Sequence, residues 1–125
     1  MSDVIDILDV KELTAILLKG GPEGIGLTAS TGSIQGGQPL VTSFNVIDTS
    51  GTAGDSVTLP AAANIGTVIF IKNGAAANSV DVFPALGDDL GAGANTAEAL
   101  AAGDFAAYIC TTIDSVWEKL LGGTA

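Results

Sequence analysis

The residues that could carry chemistry in this chain are few. Two adjacent carboxylates, Asp88 and Asp89, lie in a loop bounded by Gly87 and Gly91. Carboxylate oxygens in such a loop could ligate a hard cation such as calcium. The EF-hand pattern is absent, however, and no Glu follows at the spacing that it needs. The pattern therefore favours a solvated acidic loop over a metal site.

The residues that most enzyme classes require are absent from this sequence. The chain contains no His, which excludes Ser-His-Asp and Cys-His catalysis and most zinc and non-haem iron sites. It contains no P-loop, and the glycine-rich stretch at 20–26 does not follow a strand of a βαβ unit, as a dinucleotide fingerprint would. Spacing alone leaves a two-carboxylate glycosidase open, but one Trp and one Tyr are poor material for a sugar cleft. We expect no enzymatic activity, no catalytic residue, no cofactor and no metal.

The single cysteine, Cys110, lies in an apolar run, Ala106 to Cys110. A lone cysteine cannot form an intrachain disulfide. Its apolar surroundings favour a buried structural thiol over a nucleophile.

The charge balance restricts the partners. Lys and Arg total 4 against 14 Asp and Glu, a formal net charge of −10, and there is no Arg. Because nucleic acids and anionic membranes are bound through clustered basic residues, we expect neither as a partner. No apolar stretch approaches the roughly 18 residues of a membrane span, and the first residues lack the basic region of a secretory signal.

The composition indicates that apolar surface is covered by neighbours. Apolar residues make up 47% and charged residues only 14%, where a soluble domain is typically about 25% charged. A chain of 125 residues suits one compact domain with little interior relative to its surface. We therefore expect an obligate oligomer or an assembly component; a monomer with an Ala-rich surface is the alternative.

Residues 1–39 are predicted to form an arm. Asp9 and Glu12 fit a capping box, and Leu13, Ile16 and Leu17 follow at helical spacing, which predicts a helix over about 10–19. So short a helix must dock, on its own domain or on a partner. The Gly-, Ser- and Thr-rich stretch at 20–39 is predicted to be a linker or an extended arm, with an irregular but ordered loop as the alternative.

Residues 40–125 are predicted to form a β-rich knob. Short strands are expected over 41–47, 56–59, 67–72, 79–83, 105–112 and 116–121, and the stretch at 94–102 favours a short strand or irregular structure. The strand at 67–72 is apolar on both faces and should be central, and it could pair with 79–83 as a hairpin. The predicted fold is mainly β, a small antiparallel β-sandwich or jelly-roll-like domain preceded by an N-terminal helix and an extended arm.

An ordered set of motifs runs through this region. It comprises a strand ending in Leu59-Pro60, a strand ending in Asn73-Gly74, a strand followed by Pro84 and then Gly87-Asp88, and an aromatic strand from Phe105 that precedes Trp117. Over 55–121 the chain resembles the capsid decoration (cement) proteins of tailed bacteriophages and related head-fibre and tail-fibre domains.

The resemblance implies a homotrimer that sits at capsid three-fold positions on the virion surface. Its β-domain would project as a knob while the N-terminal segment contacts the major capsid protein. A trimer that bridges capsid subunits stabilises the assembled shell by mass action, because it binds only that form. The fibres of this group carry long repetitive shafts, which this chain lacks, so decoration is favoured.

Two sets of apolar residues follow from this hypothesis. The predicted capsid contact comprises Val4, Ile5, Ile7, Leu8, Leu13, Ile16 and Leu17. The predicted oligomer interface or core comprises Val68, Phe70, Phe83, Phe105, Tyr108 and Trp117. The competing hypothesis is a receptor- or glycan-binding tip of a phage fibre or surface adhesin, which an exposed aromatic groove on the knob would favour.

Overall fold

The fold consists of short β-strands in two mixed sheets. The computed structural model describes residues 24–113 and 115–123, with the backbone alone for 121–123. Its strands are β1 (Leu27–Thr28), β2 (Gln38–Pro39), β3 (Phe44–Thr49), β4 (Asp55–Thr58), β5 (Val68–Asn73), β6 (Val80–Phe83), β7 (Glu98–Leu100), β8 (Phe105–Thr112) and β9 (Val116–Gly123). One sheet has five strands in the order β1-β3-β5-β8-β9, and the other has four in the order β2-β4-β6-β7.

The chain alternates between the sheets from β1 to β6. The odd-numbered strands of this part pair in parallel in the five-stranded sheet, and the even-numbered strands pair in parallel in the four-stranded sheet. Each strand therefore lies beside the strand two places along the chain, which gives a coiled path. The antiparallel strands β7, β8 and β9 complete the two sheets on the side opposite β1 and β2.

Both sheets contribute to one hydrophobic core. The five-stranded sheet supplies Ile47, Ile69 and Ile71, and the four-stranded sheet supplies Val57 and Val82. β-branched residues suit these positions because they pack well on a pleated surface. Trp117 and Tyr108 are the largest fully buried side chains.

The mainly-β prediction is confirmed, but the antiparallel one is wrong for much of the fold. Four of the seven strand pairings are parallel. The predicted hairpin is also wrong, because β5 and β6 belong to different sheets. β5 is central, as its apolar faces predicted, and the short strand β7 lies within 94–102.

The prediction of a linker is wrong for residues 24–39. This stretch supplies an edge strand to each sheet, β1 and β2, and Ala29 lies in the core. Ser30 also forms an antiparallel bridge with Ser56 of β4. Gly and Ser allow this close packing because their side chains are small enough for two backbones to approach each other. The helix predicted over 10–19 lies outside the described residues.

Candidate assembly surface

Three half-exposed phenylalanines lie on the outer face of the five-stranded sheet. Phe44, Phe70 and Phe105 are 44%, 43% and 40% exposed. Because side chains alternate along a strand, their neighbours in sequence Asn45, Ile71 and Ala106 point into the interior and are buried. Phe44 pairs directly with Phe70 across β3 and β5, and Phe105 pairs with Lys72 on the neighbouring strand β8. The three rings therefore lie on adjacent strands of one face.

Smaller apolar residues extend this aromatic group. The pairings place Val46 and Val68 and also Ile109 on the same outer side, where each is partly buried. We call the surface formed by Phe44, Val46, Val68, Phe70, Phe105 and Ile109 the open face. Contiguous exposed apolar surface of this kind marks interaction sites in soluble proteins, and aromatic residues dominate the binding energy of such sites.

A groove of about 230 Å³ lies within the open face. Its lining comprises Phe44, Phe70, Ile71, Lys72, Phe105 and Ala106. Ala107, directly opposite Phe70, has no bulk to fill the space between the rings. Among these described lining residues only Lys72 is charged, and its Nζ donates a hydrogen bond to the carbonyl oxygen of Gly103. The groove therefore offers apolar contact and little polar recognition.

A buried asparagine holds the strands beneath this face in position. Asn45 is fully buried, and its Nδ2 donates to the carbonyl oxygens of Thr42 and Phe70, at 2.9 and 3.2 Å. Its Oδ1 accepts from the hydroxyl of Thr42 at 3.0 Å. These bonds fix β3 against β5 next to Phe44. The sequence did not reveal this, because in β3 a Phe faces outward and an Asn inward, the reverse of the usual hydrophobic pattern.

The outer face of the four-stranded sheet is covered by the chain itself. Residues 30–37, which we call the cover segment, lie over the outward residues of β4. The buried hydroxyl of Ser56 donates to the carbonyl oxygens of Gly32 and Ile34, at 2.8 and 3.0 Å, and accepts from the Ile34 N–H at 3.3 Å. The N–H of Gly36 donates to Thr58 Oγ1 at 3.0 Å. Hydrogen bonds thus hold the cover segment over β4.

The chain enters the described region beside the open face. Gly24 is buried, and a Cβ placed on it would clash with the side chain of Thr42 and the carbonyl oxygen of Phe44. Residue 24 therefore contacts the start of β3, where the first groove phenylalanine lies. The residues that precede Gly24 connect to the molecule at this border of the open face.

The structure separates the predicted interface-or-core residues into two groups. Val68, Phe70 and Phe105 lie on the open face, whereas Phe83, Tyr108 and Trp117 are buried. Phe44 belongs with the first group and was missed by the sequence analysis. The predicted capsid-contact residues lie outside the described part of the chain: Val4, Ile5, Ile7, Leu8, Leu13, Ile16 and Leu17.

A cluster of three polar side chains links the two sheets on the side of β7 and β9. Glu98 Oε1 accepts from the Tyr108 hydroxyl at 2.6 Å and lies 2.6 Å from Lys119 Nζ. Burial alone would raise the pKa of Glu98, but the hydrogen bonds from Lys119 and Tyr108 outweigh it and hold this pKa below its usual value. Burial and the bond to Glu98 raise the pKa of Tyr108. These groups serve the fold.

The remaining candidate chemical groups also have structural roles. Asp88 is buried, and its Oδ2 accepts from the Ala62 N–H at 2.9 Å, so it is not a solvated residue. Asp89 Oδ1 accepts from the N–H groups of Gly91 and Gly93, at 2.6 and 3.1 Å. Cys110 is buried, as predicted. Across residues 24–113 and 115–123, no group of three Cys, Asp or Glu side chains is placed to hold a metal ion.

No protein-family model matches the chain, and no curated protein matches it either. Within the described ranges, the structure has no helix with the length and apolarity that crossing a membrane requires. The open face therefore remains the feature from which a function can be argued.

Proposed function

We propose that this protein is a non-enzymatic virion component that decorates and stabilises a bacteriophage capsid, on the outer surface, as a homo-oligomer of trimeric form. The open face is the observation that carries the proposal. Three phenylalanines at 40–44% exposure lie on adjacent strands. Burying a fully exposed ring is worth about 1.5–3 kcal/mol, and roughly two fifths of that can still be gained at each of them. A surface of this kind fits a protein whose work is contact with other subunits.

The charge distribution supports a protein partner. The chain carries a net charge of −10, so its copies repel one another at most orientations. The groove of the open face is lined by one positive side chain, Lys72, and the exposed carboxylates of Asp48 and Glu118 flank the face on β3 and β9. A partner that packs on this face therefore meets apolar surface and one lysine, with carboxylates at the borders.

The decoration role itself rests on the resemblance over residues 55–121. In this proposal the β-domain is a β-sandwich-like knob, and the apolar residues ahead of the domain contact the major capsid protein. The open face contributes contacts between neighbouring subunits. Neither contact involves nucleic acid or membrane, in keeping with the shortage of Lys and the lack of Arg.

Binding to capsid shells tests this proposal. Purified protein mixed with undecorated, expanded phage shells should bind them and raise the temperature at which they disrupt. Leu13→Ser combined with Leu17→Ser should abolish binding, whereas Leu18→Ser, at a position off the predicted apolar stripe, should not. Binding that is the same for all three proteins would contradict the capsid role of the N-terminal segment.

A glycan-binding tip is the second candidate, because the groove is exposed and aromatic. Sugars need polar groups that fix their hydroxyls, and the described lining supplies only Lys72, already bonded to Gly103. A glycan array tests this candidate. Selective binding that Phe70→Thr removes, with no binding to shells, would favour it over decoration.

A further inference from the structure

We propose that the chain's own N-terminal segment, residues 4–17, packs on the open face in the free subunit and covers the phenylalanine groove. The first ground is where the chain enters. Gly24 contacts Thr42 and the carbonyl of Phe44 at the border of the groove, so the preceding residues start from beside the surface that needs covering.

The reach of the chain agrees with this placement. Four residues, 20–23, separate the predicted helix from Gly24 and span at most about 14 Å. The groove crosses β3, β5 and β8, a width of about 10 Å at the usual strand spacing. A helix of ten residues is about 15 Å long. The segment can therefore lie across all three strands without stretching its connection, and the nearest open face is that of its own subunit.

The chemistry of the segment complements the face. Leu13, Ile16 and Leu17 form one stripe of the predicted helix, and the groove presents three rings to it. Residues 1–19 hold four carboxylates against two lysines, and the charged residue of the groove lining is Lys72. The apolar stripe of the segment therefore matches the apolar rings of the groove.

The four-stranded sheet supplies a precedent within the molecule. Its outer face is covered by residues 30–37, the chain just after β1. The open face would likewise be covered by the chain just before β1. In both cases the cover would be a neighbouring stretch of the chain that lies outside the strands of the sheet.

The consequence for assembly rests on the proposed function. If the segment and the open face are both contact surfaces on the shell, their mutual contact hides both in the free subunit. Docking on the shell would separate them, and the two surfaces would become available together. Premature self-association of the free protein would be suppressed, because the N-terminal segment and the open face would cover each other.

A spin label on the predicted solvent side of the segment tests the placement in the full-length chain. Ala15→Cys, in a Cys110→Ala background, gives a single labelling site. Amide signals from β3, β5 and β8 should broaden more than those from β6 by roughly tenfold or more in rate, because packed sheets lie about 10 Å apart and the effect falls with the sixth power of distance. Isotope-labelled protein without the spin label, mixed with spin-labelled protein at natural abundance, should show no broadening.

Variants keep the test decisive. Adding Leu13→Ser and Leu17→Ser should remove the broadening, while Leu18→Ser should keep it. Weak, equal broadening in both sheets would overturn the proposal, as would broadening seen only in the mixed sample, which would place the segment of a second copy on the face. The experiment uses the isolated protein, so its failure would leave shell binding untouched, and failure to bind shells would leave this placement untouched.

Discussion

The two outer faces of this molecule are treated in opposite ways by the chain. The outer face of the four-stranded sheet is closed over β4, because Ser56 and Thr58 form hydrogen bonds with the backbone of the cover segment. The outer face of the five-stranded sheet is apolar and open over the described residues, with three half-exposed rings. The fold can cover a sheet with its own chain, so the open aromatic face is the surface on which the proposed contacts depend.

The largest effect on stability should come from the closed face. Ser56→Ala should lower the free energy of unfolding by about 2 kcal/mol, because it removes a buried hydroxyl that makes three hydrogen bonds with the backbone of the cover segment. Thr31→Ala, at an exposed position of the same segment, is the control and should cost less. Urea titrations followed by Trp117 fluorescence measure both. Equal effects would show that the cover segment is not a structural seal.

Gly24→Ala should have the next largest effect, at the border of the open face. A Cβ there has no space between Thr42 and Phe44, and overpacking typically costs about 1–3 kcal/mol. Gly51→Ala is the matched control, since the nearest atom to its added Cβ is Asp55 Oδ2 at 3.5 Å. Thermal unfolding should show a drop for Gly24→Ala alone. If both variants melt alike, Gly24 does not fix the chain beside Phe44.

Acid should weaken the link between the sheets by a smaller amount. The folded-state pKa of Glu98 is held below its usual value, so its stabilisation is present above the unfolded pKa, about 4.3, and is lost as pH falls through the folded pKa. The pair with Lys119 is partly exposed, so the loss should be about 1 kcal/mol or less. Glu98→Gln should flatten this part of the stability profile measured between pH 6 and pH 3 (about the range of carboxylate titration), and Glu118→Gln should not.

Alkaline pH should also weaken the cluster of Glu98, Tyr108 and Lys119, in this case through the titration of Tyr108. The raised pKa of Tyr108 means that its stabilisation is complete below the unfolded value, about 10, and declines as pH rises toward the folded value. Neither outer face takes part in this titration. The pH dependence of the free energy of unfolding therefore reports on the junction of the sheets and not on the two outer faces.

The smallest effect on stability should come from the open face. Phe70→Thr keeps β-propensity and should change the free energy of unfolding by about 1 kcal/mol or less, because docking of a terminal segment is a local equilibrium. Its effect on shell binding should be large by contrast. Leu86→Thr, on a residue more exposed than Phe70, is the control for both measurements. A loss of stability as large as that of Ser56→Ala would make Phe70 a core residue.

Strand positions could be predicted from this sequence, but their partners could not. β8 was predicted at its observed bounds and β5 in its central place, because β-branched and aromatic runs bounded by turn residues depend on local chemistry. Pairing depends on which sheet the chain joins after each turn. The connection from Asn73 to Val80 fits a hairpin as well as a crossing between sheets, and the structure takes the crossing.

The candidate site was predictable by residue type alone. Phe70 and Phe105 were identified as interface-or-core residues, but only the pairings of β5 with β3 and β8 place them outward together. Phe44 was missed because its neighbour Asn45 occupies the inward position that an apolar residue normally takes. The cover segment was missed because Gly and Ser are as typical of linkers as of close backbone packing.

Hydroxyl-radical footprinting of the full-length protein tests the central claim, that the open face is a contact surface kept covered in solution. The chain has four phenylalanines, of which Phe83 is buried and the other three are half-exposed over the described residues. The account predicts that Phe70 and Phe105 are oxidised at rates close to that of Phe83. Rates several-fold higher than that of Phe83 would contradict it.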